Sequence, residues 1–175
     1  ADRFARAGYN ALAPDLYEGR VTQEPDEANH LMSGLDFPGA TNQDLRGAAL
    51  HLKGIGGNVA VMGFCMGGAL TIATAVHVPE VTLGVCFYGI PPKEFADPAN
   101  ITMPLQCHFA NQDDWCTPEA VNELEAGLTA AGANAEIHRY DAAHGFFNET
   151  SEAAYDAASA NLAWRRMSDY LAANL

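Results

Sequence analysis

The chain has 175 residues, of which 49% are hydrophobic and 18% charged, and its formal net charge is −13 at pH 7. This length and apolar fraction predict one domain with a sizeable core and exclude a largely disordered chain. The 22 acidic against 9 basic residues argue against nucleic acid and anionic membranes as partners, and no stretch is long and apolar enough to predict a membrane span.

The first third of the chain predicts few regular elements. The end of a helix over residues 1–7 is followed by a short strand over 9–13. Residues 18–41 are rich in polar and turn-forming residues and predict a loop that could cover a site, with a short helix near 26–32. A longer helix is expected over 41–53.

Strands alternate with helices through the rest of the chain. The patterns predict strands over 58–64, 81–88, 105–110 and 135–140, and helices over 66–77, 118–131 and 151–175. This alternation predicts a single doubly wound α/β domain over 1–175, with a mainly parallel sheet and helices on both faces. Because the chain opens within what reads as a βα unit, we expect the N-terminal strands of such a fold to be missing from it.

The stretch Gly63-Phe64-Cys65-Met66-Gly67-Gly68 lies between a predicted strand and a predicted helix. Its spacing is typical of a nucleophile elbow, with cysteine in the place of serine. Such a turn holds the nucleophile in a strained backbone conformation, and small neighbours let the strand and helix pass closely. The N-terminus of the helix favours a thiolate. This context favours a nucleophilic Cys65 over a buried structural cysteine.

An acid and a base follow two later strands. Asp113 and Asp114 come after the strand over 105–110, and His144 comes after the strand over 135–140. The carboxyl ends of parallel strands meet at one edge of a sheet, and the order nucleophile, acid, histidine is that of the α/β-hydrolase fold. One aspartate is expected to orient His144, while the other caps the next helix or faces water.

The four cysteines contain no C-x-x-C pair, and a domain of this size folds without disulfides. We therefore expect free thiols and a reducing, cytoplasmic location. No cysteines or histidines have the spacing of zinc ligands, so neither a metal nor another cofactor is expected.

Four stretches resemble the dienelactone hydrolase (carboxymethylenebutenolidase) family: residues 8–17, 63–68, 112–115 and 143–146. The resemblance extends over nearly the whole chain and implies an α/β-hydrolase fold. It implies a triad of Cys65, His144 and Asp113, with Asp114 as the alternative acid, and the backbone N–H of Met66 as one oxyanion donor. It further implies a second oxyanion donor and a glutamate beside the cysteine, both before residue 1.

The resemblance implies hydrolysis of a small-molecule ester or lactone through a thioester, by a monomer or small homo-oligomer. We expect Tyr88, Trp115 and Phe146 to wall the substrate pocket. No arginine stands near Asn148, where the resemblance would place one to hold a substrate carboxylate, so a neutral and an anionic substrate both stay open. The alternative from another class is a non-catalytic or redox-sensing protein in which Cys65 is a low-pKa thiol.

Overall fold

The centre of the protein is a four-stranded sheet in which all neighbouring strands are parallel. The computed structural model describes residues 1–175, and the strands lie side by side in chain order: β1 (Ala60–Phe64), β2 (Leu83–Phe87), β3 (Leu105–Gln112) and β4 (Ala135–Ala143). An irregularity in register between Ala110 and Gln112 bends the end of β3. The chain therefore leaves the sheet at an altered angle just before Asp113.

Helices cover both faces of this sheet. One face packs against α4 (Arg46–Ile55), α5 (Met66–His77) and α6 (Pro118–Ala130), and the other packs against α7 (Ala157–Asn174). All five residues of β2 are buried, as is typical of a strand with helices on both sides. The predicted α/β architecture is confirmed.

The side chains of the central strands alternate between two hydrophobic cores. Cys86 and Cys107 belong to the core beneath α4, α5 and α6. Leu83, Val85 and Phe87 belong to the core beneath α7. This alternation follows from the pleat of a strand, which directs successive side chains to opposite faces.

The predicted strand over residues 9–13 is wrong. These residues follow α1 (Asp2–Arg6) without regular structure, and the Tyr9 N–H donates to the Phe4 carbonyl 3.1 Å away. A strand needs a neighbour for its N–H and C=O groups, and no strand of the sheet pairs with this segment. The apolar side chain of Leu12 is consequently exposed.

The segment 18–41 contains more helix than the sequence predicts. Helix α2 (Pro25–Ser33) includes the predicted short helix, and α3 (Phe37–Gly39) adds one turn. A π-helical stretch, Ala40–Leu45, then leads into α4, so the predicted helix over 41–53 is divided in two. Pro25 occupies the first turn of α2, where the N–H that proline lacks would have no helical partner.

Side-chain caps decide where the last two long helices begin. The Thr117 hydroxyl accepts a hydrogen bond from the Ala120 N–H at 3.3 Å, and α6 begins at residue 118 as predicted. The carboxylate of Asp156 accepts from the Ser159 N–H at 2.7 Å. Helix α7 therefore begins six residues later than the predicted 151, because residues 151–156 form turns that lead to this cap. None of the helices has the length and apolar character that crossing a membrane requires.

Candidate active site

Cys65 lies on a sharp turn between β1 and α5. Its φ of 55° and ψ of −117° are strained values for a residue with a side chain. Two backbone hydrogen bonds hold this conformation: the Cys65 N–H donates to the Phe87 carbonyl at 3.0 Å, and the Cys65 carbonyl accepts from the Ala69 N–H at 3.1 Å. The turn that the elbow motif predicts is therefore present, with Cys65 at its apex.

Three glycines allow the backbones around Cys65 to approach one another. A Cβ atom at Gly63 would overlap the carbonyl of Gly67, and one at Gly68 would overlap the carbonyl of Phe87. A Cβ atom at Gly89, just beyond β2, would overlap the carbonyl of Cys65. These positions require glycine for lack of space, and none of the three has a positive φ.

The structure brings His144 and Asp113 together at the carboxyl-terminal edge of the sheet. The distance between His144 Nδ1 and Asp113 Oδ2 is 2.8 Å. The other carboxylate oxygen, Oδ1, accepts hydrogen bonds from the backbone N–H groups of Trp115 (2.8 Å) and Cys116 (2.9 Å). The Asp113 side chain is fully buried, and these three hydrogen bonds replace those that its carboxylate would make with water.

Asp114 has a different environment from its neighbour. Its side chain is exposed, whereas that of Asp113 faces the imidazole of His144. The irregular end of β3 comes directly before these two residues. Thr117, and neither aspartate, provides the side-chain cap of α6.

Cys65 and His144 perturb each other's proton affinity. Interaction with the nearby His144 lowers the pKa of the Cys65 thiol, against the opposing effect of burial, and the Met66 N–H lowers it further. Interaction with Cys65, and then the hydrogen bond with Asp113, raise the pKa of His144 to about 9. Both shifts favour a thiolate beside an imidazolium, which is the reactive form of a cysteine nucleophile.

Tyr88 supports the histidine from the next strand. Its φ of 36° is also strained, and its N–H donates to the carbonyl of His108 at 2.8 Å. The Tyr88 ring meets the imidazole of His144 edge to face, with the ring centroids 4.9 Å apart. The indole of Trp115 lies on the imidazole as well, at 5.5 Å. Two aromatic rings therefore restrict the orientation of the histidine.

A cavity of about 350 Å³ opens beside Cys65. Five of its lining residues were named from the sequence: Cys65, Met66, Tyr88, Trp115 and His144. The volume lies at the lower end of the range for small-molecule sites. Elsewhere in the chain, no group of three or more His, Cys, Asp or Glu residues is placed to hold a metal ion.

One wall of the cavity was not predicted from the sequence: it comes from α2, α3 and the turn between them. Met32, Leu35 and Phe37 line it. The available signal was the presence of three apolar side chains within the six positions 32–37 of a largely polar segment. These residues are half-buried against the cavity and not against a sheet, so no strand or helix period revealed their role.

The structure corrects the expected position of Phe146. Its side chain is fully buried and is not among the cavity-lining residues. It packs behind Tyr88, at 5.5 Å between ring centroids, and against Tyr140, at 4.8 Å. The chain turns at Gly145, whose φ is +80°, and this turn sends Phe146 into the core while His144 faces the cavity.

Comparison with known proteins places the whole chain in one group. The family model described as "Dienelactone hydrolase family" matches residues 1–175. "Protein usf" of Aquifex pyrophilus is 32% identical over 171 residues, which cover 93% of this chain and 74% of that protein. "Carboxymethylenebutenolidase 1" of Cupriavidus pinatubonensis is 30% identical over 179 residues, which cover 95% of this chain and 75% of that protein.

A solved structure supports the fold independently of the sequence. It is a dienelactone hydrolase-like promiscuous phosphotriesterase from metagenomic libraries, with a TM-score of 0.85 and 21% identity. The match covers 98% of this chain and 77% of that one. At this identity the likeness is evidence for the fold alone.

Proposed function

The chain belongs to the dienelactone hydrolase family and is an ester or lactone hydrolase, and from this premise we propose that Cys65, His144 and Asp113 form its catalytic triad. The observation that carries the proposal is the 2.8 Å contact between His144 Nδ1 and the buried Asp113 carboxylate, beside a cysteine on a strained elbow. The order of the three residues in the chain agrees with that of the α/β-hydrolase fold.

The hydrogen bond to Asp113 assigns the tautomer of the histidine. The Nδ1–H of His144 donates a hydrogen bond to Oδ2 of Asp113 and keeps its proton. Nε2 is then the nitrogen that exchanges a proton with the Cys65 thiol. Transfer of the thiol proton to Nε2 gives a thiolate and an imidazolium. The buried Asp113 carboxylate stabilises the positive charge that forms on His144.

The thiolate then attacks the carbonyl carbon of the ester or lactone. The backbone N–H of Met66 lies at the N-terminus of α5 and faces the Cys65 sulfur, so it can donate to the developing oxyanion. Such a donor contributes about 3 kcal/mol in related sites. The C–O bond breaks as His144 Nε2 protonates the leaving oxygen, and a thioester on Cys65 remains.

Water completes the cycle. His144, now neutral, accepts a proton from a water molecule that attacks the thioester carbonyl. Collapse of the tetrahedral intermediate breaks the C–S bond, releases the carboxylic acid and restores the Cys65 thiolate beside the imidazolium. This mechanism uses no metal ion or organic cofactor.

Turnover of p-nitrophenyl acetate, a neutral ester, tests the proposal. Cys65→Ala should abolish turnover, and His144→Ala should lower kcat by at least about 10²-fold because the general base is lost. Mass spectrometry of the quenched wild-type reaction should find an added acetyl group on Cys65. Wild-type turnover equal to that of Cys65→Ala would sink the triad.

The alternative is a redox-sensing role for Cys65. The lowered pKa of its thiol favours it, because a thiolate reduces hydrogen peroxide and takes up one oxygen to give a sulfenic acid and water. Rapid peroxide consumption that depends on Cys65, in a protein without esterase turnover, would support this role.

The four free cysteines also support a reducing, cytoplasmic location for this enzyme. We propose small-molecule substrates and no nucleic-acid partner, given the net charge of −13, and a monomer or small homo-oligomer.

A further inference from the structure

The cavity beside Cys65 contains no lysine or arginine that could pair with a substrate anion. Ten of its thirteen lining residues are hydrophobic, and neither lysine nor arginine is among them. The wall opposite the reacting groups consists mainly of Met32, Leu35, Phe37 and Ile90. A carboxylate placed against these side chains would lose its water without gaining a hydrogen-bond donor.

Five of the nine lysines and arginines have partners outside the cavity. Two arginines form ion pairs on the surface, two lie over aromatic rings and one donates to a backbone carbonyl: Arg46 with Glu80, Arg139 with Glu125, Arg3 over Trp164, Arg166 over Tyr140, and Arg20 to Tyr17. None of them lines the cavity. The other four, Arg6, Lys53, Lys93 and Arg165, are not among the lining residues either.

The reacting groups themselves disfavour a second anion. In the reactive form, the Cys65 thiolate and the Asp113 carboxylate provide two negative charges against the single positive charge of His144. The imidazolium is already in contact with the Asp113 carboxylate. A substrate carboxylate would therefore meet a site with a net negative charge in a partly dehydrated cavity, where repulsion is weakly screened.

We propose that this site accepts a neutral ester or lactone whose acyl part is apolar, and that it rejects substrates whose acyl part carries a carboxylate. The inference rests on the proposed function and specifies its substrate class. The acyl chain would lie against Met32, Leu35 and Phe37, which makes the α2–α3 segment the part of the protein that determines specificity.

Three esters of matched length test the proposal: p-nitrophenyl hexanoate, mono-p-nitrophenyl adipate, which adds a carboxylate at the far end, and methyl p-nitrophenyl adipate, which masks that charge. We expect kcat/KM for the hexanoate to exceed that for the mono-adipate by at least about 30-fold, because an unpaired buried carboxylate is costly. Methyl p-nitrophenyl adipate, in which the charge is masked, should recover most of the lost kcat/KM. Equal rates for the charged and masked esters, or faster turnover of the charged one, would overturn the inference.

Leu35→Arg tests whether the apolar wall sets the preference. A guanidinium at this position should reduce the hexanoate-to-adipate ratio at least about tenfold by pairing with the carboxylate. Leu50→Arg is the matched control: it makes the same change on the exposed side of α4, outside the cavity, and should leave the ratio unchanged. If both variants reduce the ratio equally, overall charge and not the cavity wall sets the preference, and the inference is wrong.

Salt gives a readout on the unmodified protein. In 1 M NaCl the screening length falls to about 3 Å, so repulsion from surface charges is removed while the dehydration of a buried carboxylate is not. The wild-type hexanoate-to-adipate ratio should persist at this salt concentration, and a ratio near one would refute the assignment to the cavity wall.

The rate of the Cys65→Ala variant separates the proposed function from the inference about its substrates. If the wild type turns over no ester faster than this variant, the proposed function fails and the inference fails with it. If all three turn over equally, only the substrate class is wrong.

Discussion

The shared proton of Cys65 and His144 makes the pH dependence of the enzyme informative at the scale of single residues. Their interaction lowers the pKa of the thiol and, together with Asp113, raises the pKa of His144 to about 9. We expect kcat/KM for an alkyl ester such as ethyl acetate, whose alkoxide must be protonated as it leaves, to be level near neutral pH and to fall above about pH 9, as the imidazolium loses its proton. A rate that keeps rising through pH 10 would contradict an ion pair as the reactive form.

The two adjacent aspartates provide a matched pair of variants. Asp113→Asn removes the carboxylate that orients His144, so kcat should fall by about 10²- to 10⁴-fold. The alkaline limb of the pH profile should also move to lower pH, because Asp113 raises the pKa of His144. Asp114→Asn changes an exposed side chain and should stay within about threefold of wild type. The opposite ranking would make Asp114 the triad acid.

At the scale of elements, the junction of β1 with α5 depends on how closely the two can approach. Gly68 lies under the Phe87 carbonyl, whereas a Cβ atom at Gly67 would meet nothing within 4 Å. Gly68→Ala should therefore lower the free energy of unfolding by about 1–3 kcal/mol through overpacking. Gly67→Ala should be neutral or stabilising by about 0.5–1 kcal/mol, as alanine usually is in a helix.

Urea denaturation of both glycine variants measures this difference. Both replace glycine by alanine in the first turn of the same helix, so their effects on helix propensity cancel in the comparison. Equal midpoints for the two variants would show that α5 can move away from β2, against the packing described for the elbow.

At the scale of the whole molecule, a buried polar chain lies between the sheet and α7. The fully buried His108 contacts the Tyr140 hydroxyl at 2.7 Å and the Gln106 side-chain oxygen at 2.9 Å. Burial, with His138 and Arg166 nearby, lowers the pKa of His108 to about 3. The folded protein therefore holds this histidine neutral where the unfolded chain would protonate it.

This burial predicts a loss of stability in acid. The pKa of His108 is lower in the folded than in the unfolded state. Its contribution to the free energy of unfolding is therefore complete above about pH 6.5 and is lost as the pH falls toward about 3. For one proton, the slope of the unfolding free energy against pH cannot exceed about 1.4 kcal/mol per pH unit. His108→Gln should flatten the dependence of unfolding free energy on pH between about 6.5 and 4.5, and His30→Gln, at an exposed position, should not. Identical slopes in both variants would refute the assignment.

Local patterns predicted much of the fold because its elements carry strong local signals. The boundaries of α5 agree with the prediction at both ends, since the elbow glycines and the apolar run after them define the helix. The start of α6 followed from the Thr117 cap and Pro118. The strand over 9–13 failed because strand formation depends on a partner that the local sequence does not contain. Phe146 was misplaced because its neighbour Gly145 turns the chain, which residue type alone does not reveal.

By itself, the sequence determined the family, the alternation of strands and helices, and the three residue types expected at one edge of the sheet. These depend on short-range features: hydrophobic period, glycine spacing and chain order. The tertiary structure alone decided that Asp113 and not Asp114 contacts His144, and that Met32, Leu35 and Phe37 line the cavity beside Cys65. The first feature depends on the direction in which the chain leaves the irregular end of β3, and the second on the path of α2 and α3. Neither direction can be read from residues that are neighbours in the chain.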